Sequence, residues 1–170
     1  DRTFDPGGRR RAPSYDRSMT EVNGLRLAYK GFVGGLAGAY VWTAIAMALA
    51  GLVHGDPLRP LAPLALALTP LAGSPALSFV LGLLAVQAGG AFIGMGFAYF
   101  FGRYFTIRAT MAAAAPVAAL LAWGLIAATL RKEMPGIELV AAPISMVATL
   151  GYGLVLGATV PVRGEVTRRE

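Results

Sequence analysis

The chain contains no cysteine, one histidine and little charge: Asp, Glu, Lys and Arg make up 14% of its 170 residues. Each scarcity excludes something. Without thiols there are no disulfides, no Cys-ligated zinc or iron–sulfur cluster and no covalently attached c-type haem. With His54 as the sole histidine, a haem held between two histidines of this chain is excluded. A soluble domain averages about 25% charged residues, so this chain is too poor in charge to cover a surface facing water. That argues against an ordinary cytosolic enzyme and against a disordered protein. Hydrolytic machinery is missing as well, with no HExxH, no phosphate loop and no Ser/His/Asp constellation. The expectation is a protein without enzymatic activity.

Hydrophobic residues are abundant instead, at 56% with a mean hydropathy of +0.61. They fall into four runs. Residues 31–53 carry no charge, and as a helix they reach about 34 Å, enough for a hydrocarbon core of about 30 Å. Residues 76–102 are also uncharged, with Gln87 the most polar side chain. Residues 109–130 form the third run and 137–162 the fourth, which has Glu138 at its start. None shows the polar stripe of a soluble core helix. The predicted fold is an all-α, four-transmembrane-helix bundle over residues 31–162, between a basic tail at 1–30 and a short tail at 163–170. Pro116 and Pro143 fall inside the last two runs, and membrane helices tolerate proline where local adjustments satisfy the freed carbonyl. Pro116 is expected to bend the third helix, while Pro143 lies near the start of the fourth.

The stretch between the first two runs reads HGDPLRPLAPLALALTPLAGSP. Its apolar piece, 61–72, is too short to span and is interrupted by proline. We read it as an interfacial or re-entrant segment, or a Pro-rich loop resting on the membrane. Charge agrees. With four spans, Arg59, Arg131 and Lys132 fall on one side, and the other twelve of the fifteen Lys and Arg fall on the opposite side. The positive-inside rule then places both termini in the cytoplasm, and a fifth span would dissolve the bias. Tyr29, Phe32, Tyr99, Phe100, Phe101, Tyr104 and Phe105 would form an aromatic belt at the cytoplasmic interface. The near-exclusive use of Arg over Lys, with much Ala, Gly and Leu, points to a bacterial inner membrane protein. The basic residues lie in tails and loops rather than on one face, so nucleic acid is not an expected partner.

Membrane helices associate where small residues let backbones approach. The clearest such face is Gly90, Gly94, Ala98 and Gly102, four small residues at a spacing of four. It either packs this helix within its own bundle or meets another chain. Gly31/Gly35, Gly34/Gly38 and Gly153/Gly157 are weaker repeats of the same kind. Gln87, Thr43, Ser145 and Thr149 are expected to hydrogen-bond between helices. Proton and ion pathways need ionisable groups at membrane depth, and no run has one near its centre. His54, at the outer end of the first helix, is the weak candidate for a cofactor contact. No metal, haem or pigment ligated wholly by this chain is expected.

The tail, with Arg9, Arg10 and Arg11 in succession, should be disordered alone in water. No short apolar core precedes the first span, so it does not read as a signal peptide. It either binds anionic lipid headgroups or orders along a partner protein, and we favour the partner. These readings converge on a non-catalytic accessory subunit of a larger membrane complex, plausible in respiratory or photosynthetic electron transfer, with other membrane subunits and lipids as partners. The alternative is a small transporter or channel protomer that works as a homo-oligomer.

Overall fold

The computed structural model describes residues 24–69, 74–102, 104–105, 107–130 and 143–161. Arg9, Arg10, Arg11, the charges at 131–138 and the C-terminal tail lie outside the described residues. Among the described residues all regular structure is helical: α1 (Gly24–His54), α2 (Ala62–Leu68), α3 (Pro75–Phe101), α4 (Arg108–Leu130) and α5 (Pro143–Thr159). Three of these, α1, α3 and α4, are long and apolar enough to cross a membrane, and α5 is a shorter apolar helix of 17 residues.

The helix ends follow from local chemistry. α1 begins seven residues before the uncharged run, because nothing in its first turns, GLRLAYK, breaks a helix. It ends at His54, where Gly55 takes a left-handed φ of 70° and its N–H bonds to the Gly51 carbonyl at 3.0 Å. That is the single-bond C-terminal cap glycine favours, since a Cβ would resist the positive φ. Asp56 then accepts from the Leu58 N–H at 2.9 Å and turns the chain. α3 starts on a Ser74 N-cap that accepts from the Leu77 N–H at 3.2 Å, with Pro75 at the first helical position.

Between these caps the Pro-rich stretch folds into α2, which packs on α3. Leu61 is fully buried, and its Cβ and carbonyl oxygen would both lie 2.7 Å from a Cβ on Gly82. Leu66 and Leu68 stay exposed on the other face of α2.

α1 is the centre of the bundle, packing against α3 on one side and α5 on the other. α4 packs on α5 and barely touches α3. Neighbours run antiparallel, as the paired positions show: Gly31 faces Gly94 and Ala98 on α3, whereas Gly35 faces Gly90. On α5 the sequence reverses likewise, with Gly34 near Leu156 and Gly38 near Tyr152. At the α4–α5 seam Gly157 meets Ala112 and Gly153 meets Pro116. Pro116 is therefore accommodated inside α4, its backbone against a glycine that offers no side chain.

Candidate functional site

The stripe of small residues on α3 is occupied by this chain's own α1. A Cβ on Gly94 would sit 2.7 Å from the Gly35 Cα, and one on Gly90 would sit 2.7 Å from the Ala39 Cβ. Ala98 is fully buried, and Gly102 is covered by Leu27. The face considered as a contact with another chain is thus consumed in forming the α1–α3 pair. The physical reason is reciprocity: α1 carries its own small residues at Gly31, Gly35 and Ala39, so the two backbones approach each other.

The other seam is polar. The Trp42 indole N–H donates to the Thr149 hydroxyl oxygen at 3.1 Å, joining α1 to α5, and the Thr149 hydroxyl donates to the Ser145 carbonyl at 2.7 Å. One turn further along α5 the Tyr152 hydroxyl donates to the Gly90 carbonyl on α3 at 2.7 Å. Of the polar side chains expected to link helices, Thr149 does so directly. Thr43 bonds back to Ala39 in its own helix at 2.9 Å. Gln87 is only 9% exposed and neither atom of its amide has a hydrogen-bond partner.

Trp42, Thr149, Tyr152 and Gly90 line a half-open cavity of about 170 Å³ in the gap where α3 and α4 barely meet. Trp42 and Tyr152 form its back wall. Val86 and Gly89 of α3 stand on one side and Trp123 of α4 on the other, while Leu64 of α2 reaches its edge. The two indoles lie 5.9 Å apart between centroids, tilted by 52°. The Trp123 N–H is buried without a hydrogen-bond partner. Trp123 stands seven residues before the end of α4, so its backbone lies roughly 10 Å below the end of α4 on the His54 side.

His54 itself is the exposed last residue of α1 and does not line the cavity. Arg108, at the opposite end of the bundle, donates from its guanidinium to the Ala158 carbonyl in the last turn of α5. A cation there satisfies a carbonyl without a helical partner and complements the negative end of the helix dipole. Around the same end, Tyr29, Tyr99, Phe100 and Tyr104 are exposed, and Phe101 stacks on Phe97 at 5.1 Å. Among the described residues no group of three or more His, Cys, Asp or Glu comes together.

Tyr152 is the residue that sequence reading passed over. Its signal was available: a tyrosine in mid-run, set between Gly151 and Gly153, must find an acceptor for its hydroxyl. The cavity had no comparable signal, since it depends on which helices fail to touch. Comparison with protein-family models, with curated proteins and with solved structures gives no match for this chain.

Proposed function

We propose that the chain is a non-catalytic accessory subunit of a larger multi-subunit membrane complex, crossing a bacterial inner membrane four times with both termini in the cytoplasm. The observation that carries this reading is the outward apolar surface. In the three long helices only 33%, 28% and 22% of the most apolar 18-residue windows is buried within the chain. The remaining surface, with Leu84, Phe92, Leu121, Leu125 and Leu154 exposed, needs lipid or other apolar helices around it. α5 is counted as the fourth span because its 17 residues rise about 26 Å, close to the hydrocarbon thickness. α2 then rests on α3 as an interfacial or re-entrant segment.

The apolar runs supply no ionisable group for proton or ion transfer near their centres. That supports a structural role, and an energy-converting electron-transfer complex is the setting we propose. The basic tail is the proposed tether. Native purification followed by mass spectrometry of co-migrating chains tests the assignment, with unlike partners expected. Recovery of identical copies alone would replace it with a homo-oligomeric transporter or channel. Deleting residues 1–20 should leave the helices inserted, because each span carries its own hydrophobic signal, while the subunit is lost from its complex on detergent extraction. A tail-deleted chain that co-purifies at full yield would remove the tether.

A further inference from the structure

We infer that the segment after α1 is re-entrant and sinks α2 into the outer leaflet, where its outward face of Leu66, Ala67 and Leu68 binds lipid acyl chains. This placement rests on the four-span reading and puts α2 below the interface rather than on it. Packing register sets the depth. Gly31 lies against Gly94, so Lys30, the charge that borders the apolar part of α1, stands level with Met95 on α3. A hydrocarbon core of about 30 Å takes about 20 helical residues. Counted from Met95, it reaches Pro75, where α3 begins. Leu61 packs on Gly82, seven residues or about 10 Å inside that boundary. Leu64 lines the α3–α4 cavity together with Ala85 and Val86, one turn further along α3.

The backbone is equipped for that depth. Chain that enters hydrocarbon must have its polar groups satisfied within the protein. Pro57, Pro60 and Pro63 bring no N–H into the segment. The Leu61 and Ala62 N–H groups donate to the Leu58 carbonyl at 2.9 and 3.1 Å, Ala65 to the Leu61 carbonyl at 3.0 Å, and Thr69 to the Ala65 carbonyl at 3.1 Å. The prolines that suggest a surface loop in the sequence thus remove donors that lipid could not satisfy. The side chains agree. Arg59 is the last charged residue before Arg103, and α2 carries none. Leu61 and Ala65 are fully buried, whereas Leu66 and Leu68 are 53% and 58% exposed and offer no polar atom to water. Aliphatic side chains turned outward at this depth meet acyl chains, the apolar solvent already required around Leu84 on α3.

A chain without cysteine makes the depth measurable. A nitroxide is attached in turn to Leu66→Cys, Leu84→Cys and His54→Cys, each in the full chain reconstituted into phosphatidylglycerol–phosphatidylethanolamine vesicles. All three positions are exposed, so the label displaces no packed side chain. Leu84 is the lipid reference and His54, at the end of α1, the water reference. Power saturation compares relaxation by oxygen, which concentrates in lipid, with relaxation by a nickel chelate, which stays in water. Oxygen should relax the Leu66 label several-fold more than the chelate does, as at Leu84, with the order reversed at His54. Chelate access at Leu66 equal to that at His54, with Leu84 still in lipid, would overturn the re-entrant placement and leave α2 on the membrane surface. Shielding of Leu66 from both relaxants would overturn the lipid contact and show that protein covers α2. Chelate access at Leu84 as well would instead remove the four-span reading on which this placement rests.

Discussion

Tyr152 lies across the backbone of Gly38 and donates a hydrogen bond from its hydroxyl to the Gly90 carbonyl, so one side chain of α5 ties α1 to α3. The bond is 2.7 Å long, and a Cβ on Gly38 would meet the phenol ring at 2.7 Å. Glycine is needed there for close approach rather than for an unusual backbone angle. In a bundle held without hydrophobic drive between helices, such contacts decide which helices are neighbours.

Tyr152→Phe should therefore destabilise the isolated protein by about 0.6 kcal/mol, the average for hydrogen bonds between membrane helices, and by no more than about 1.7 kcal/mol. The Gly90 carbonyl keeps its place in the α3 ladder, so the loss stays near the average. Gly38→Val should cost more, because it displaces the ring as well as the bond. Thermal melting in a single detergent, with both variants beside the parent, ranks them. Equal melting temperatures for Tyr152→Phe and the parent would show that the hydroxyl contributes nothing to the bundle.

Gly94 and Gly96 lie two positions apart on α3 and should respond in opposite ways to the same substitution. Gly94→Leu drives a side chain into the backbone of α1 at Gly31 and Gly35, where no flexible atom can give. The expected loss is about 1–3 kcal/mol, the overpacking range, or insertion without assembly of the α1–α3 pair. A Cβ on Gly96 meets no atom within 4 Å, so Gly96→Leu should leave the melting temperature unchanged or raise it. A subunit that tolerates Gly94→Leu in isolation would mean that the small-residue face is not used within this chain.

Much of this arrangement was legible in advance, for definable reasons. Length and hydropathy placed α3 and α4 to within a residue at each end and α1 apart from its first seven residues, because a membrane span is a one-dimensional signal. The Gly90/Gly94/Ala98/Gly102 face was visible as a period of four, but its partner was not. Choosing Gly31, Gly35 and Ala39 of α1 over another chain is a pairing problem that one sequence does not pose. α2 was obscured for a different reason. Five prolines between residues 54 and 76 hide a seven-residue helix whose first turn accepts Pro63 without losing a hydrogen bond. The tryptophan-lined cavity was invisible because it exists by default, where α3 and α4 do not close.

The Trp42–Thr149 bond is a polar link between α1 and α5, and its energy can be isolated. Trp42→Phe and Thr149→Val each remove it, and together they should cost less than the sum of the two single changes. A coupling of about 0.6 kcal/mol is expected, the average for such pairs in membranes. Thr149 also donates to the Ser145 carbonyl, so its single variant loses a second, local bond that the double-mutant cycle cancels. Strict additivity would show that the 3.1 Å contact has no energetic weight.

Antiparallel packing also makes the transmembrane orientation testable at both ends of the bundle. Gly24 lies against Tyr99, and Arg108 reaches the Ala158 carbonyl. The start of α1, the end of α3, the start of α4 and the end of α5 therefore share one face, with Arg26, Lys30 and Arg108 on it. His54, Arg59 and Ser74 belong to the other face. The positive-inside rule assigns the first face to the cytoplasm. A cysteine-free chain suits single-cysteine labelling with a thiol reagent that does not cross membranes. Arg59→Cys should label from outside intact cells, whereas Arg17→Cys and Arg26→Cys should label only after permeabilisation. Arg169→Cys should follow Arg17→Cys if α5 crosses, since an even number of spans returns the chain to its starting side. Labelling of Arg17→Cys from outside would invert the orientation. Labelling of Arg169→Cys from outside, with Arg17→Cys still protected, would leave the orientation intact and require an odd number of spans.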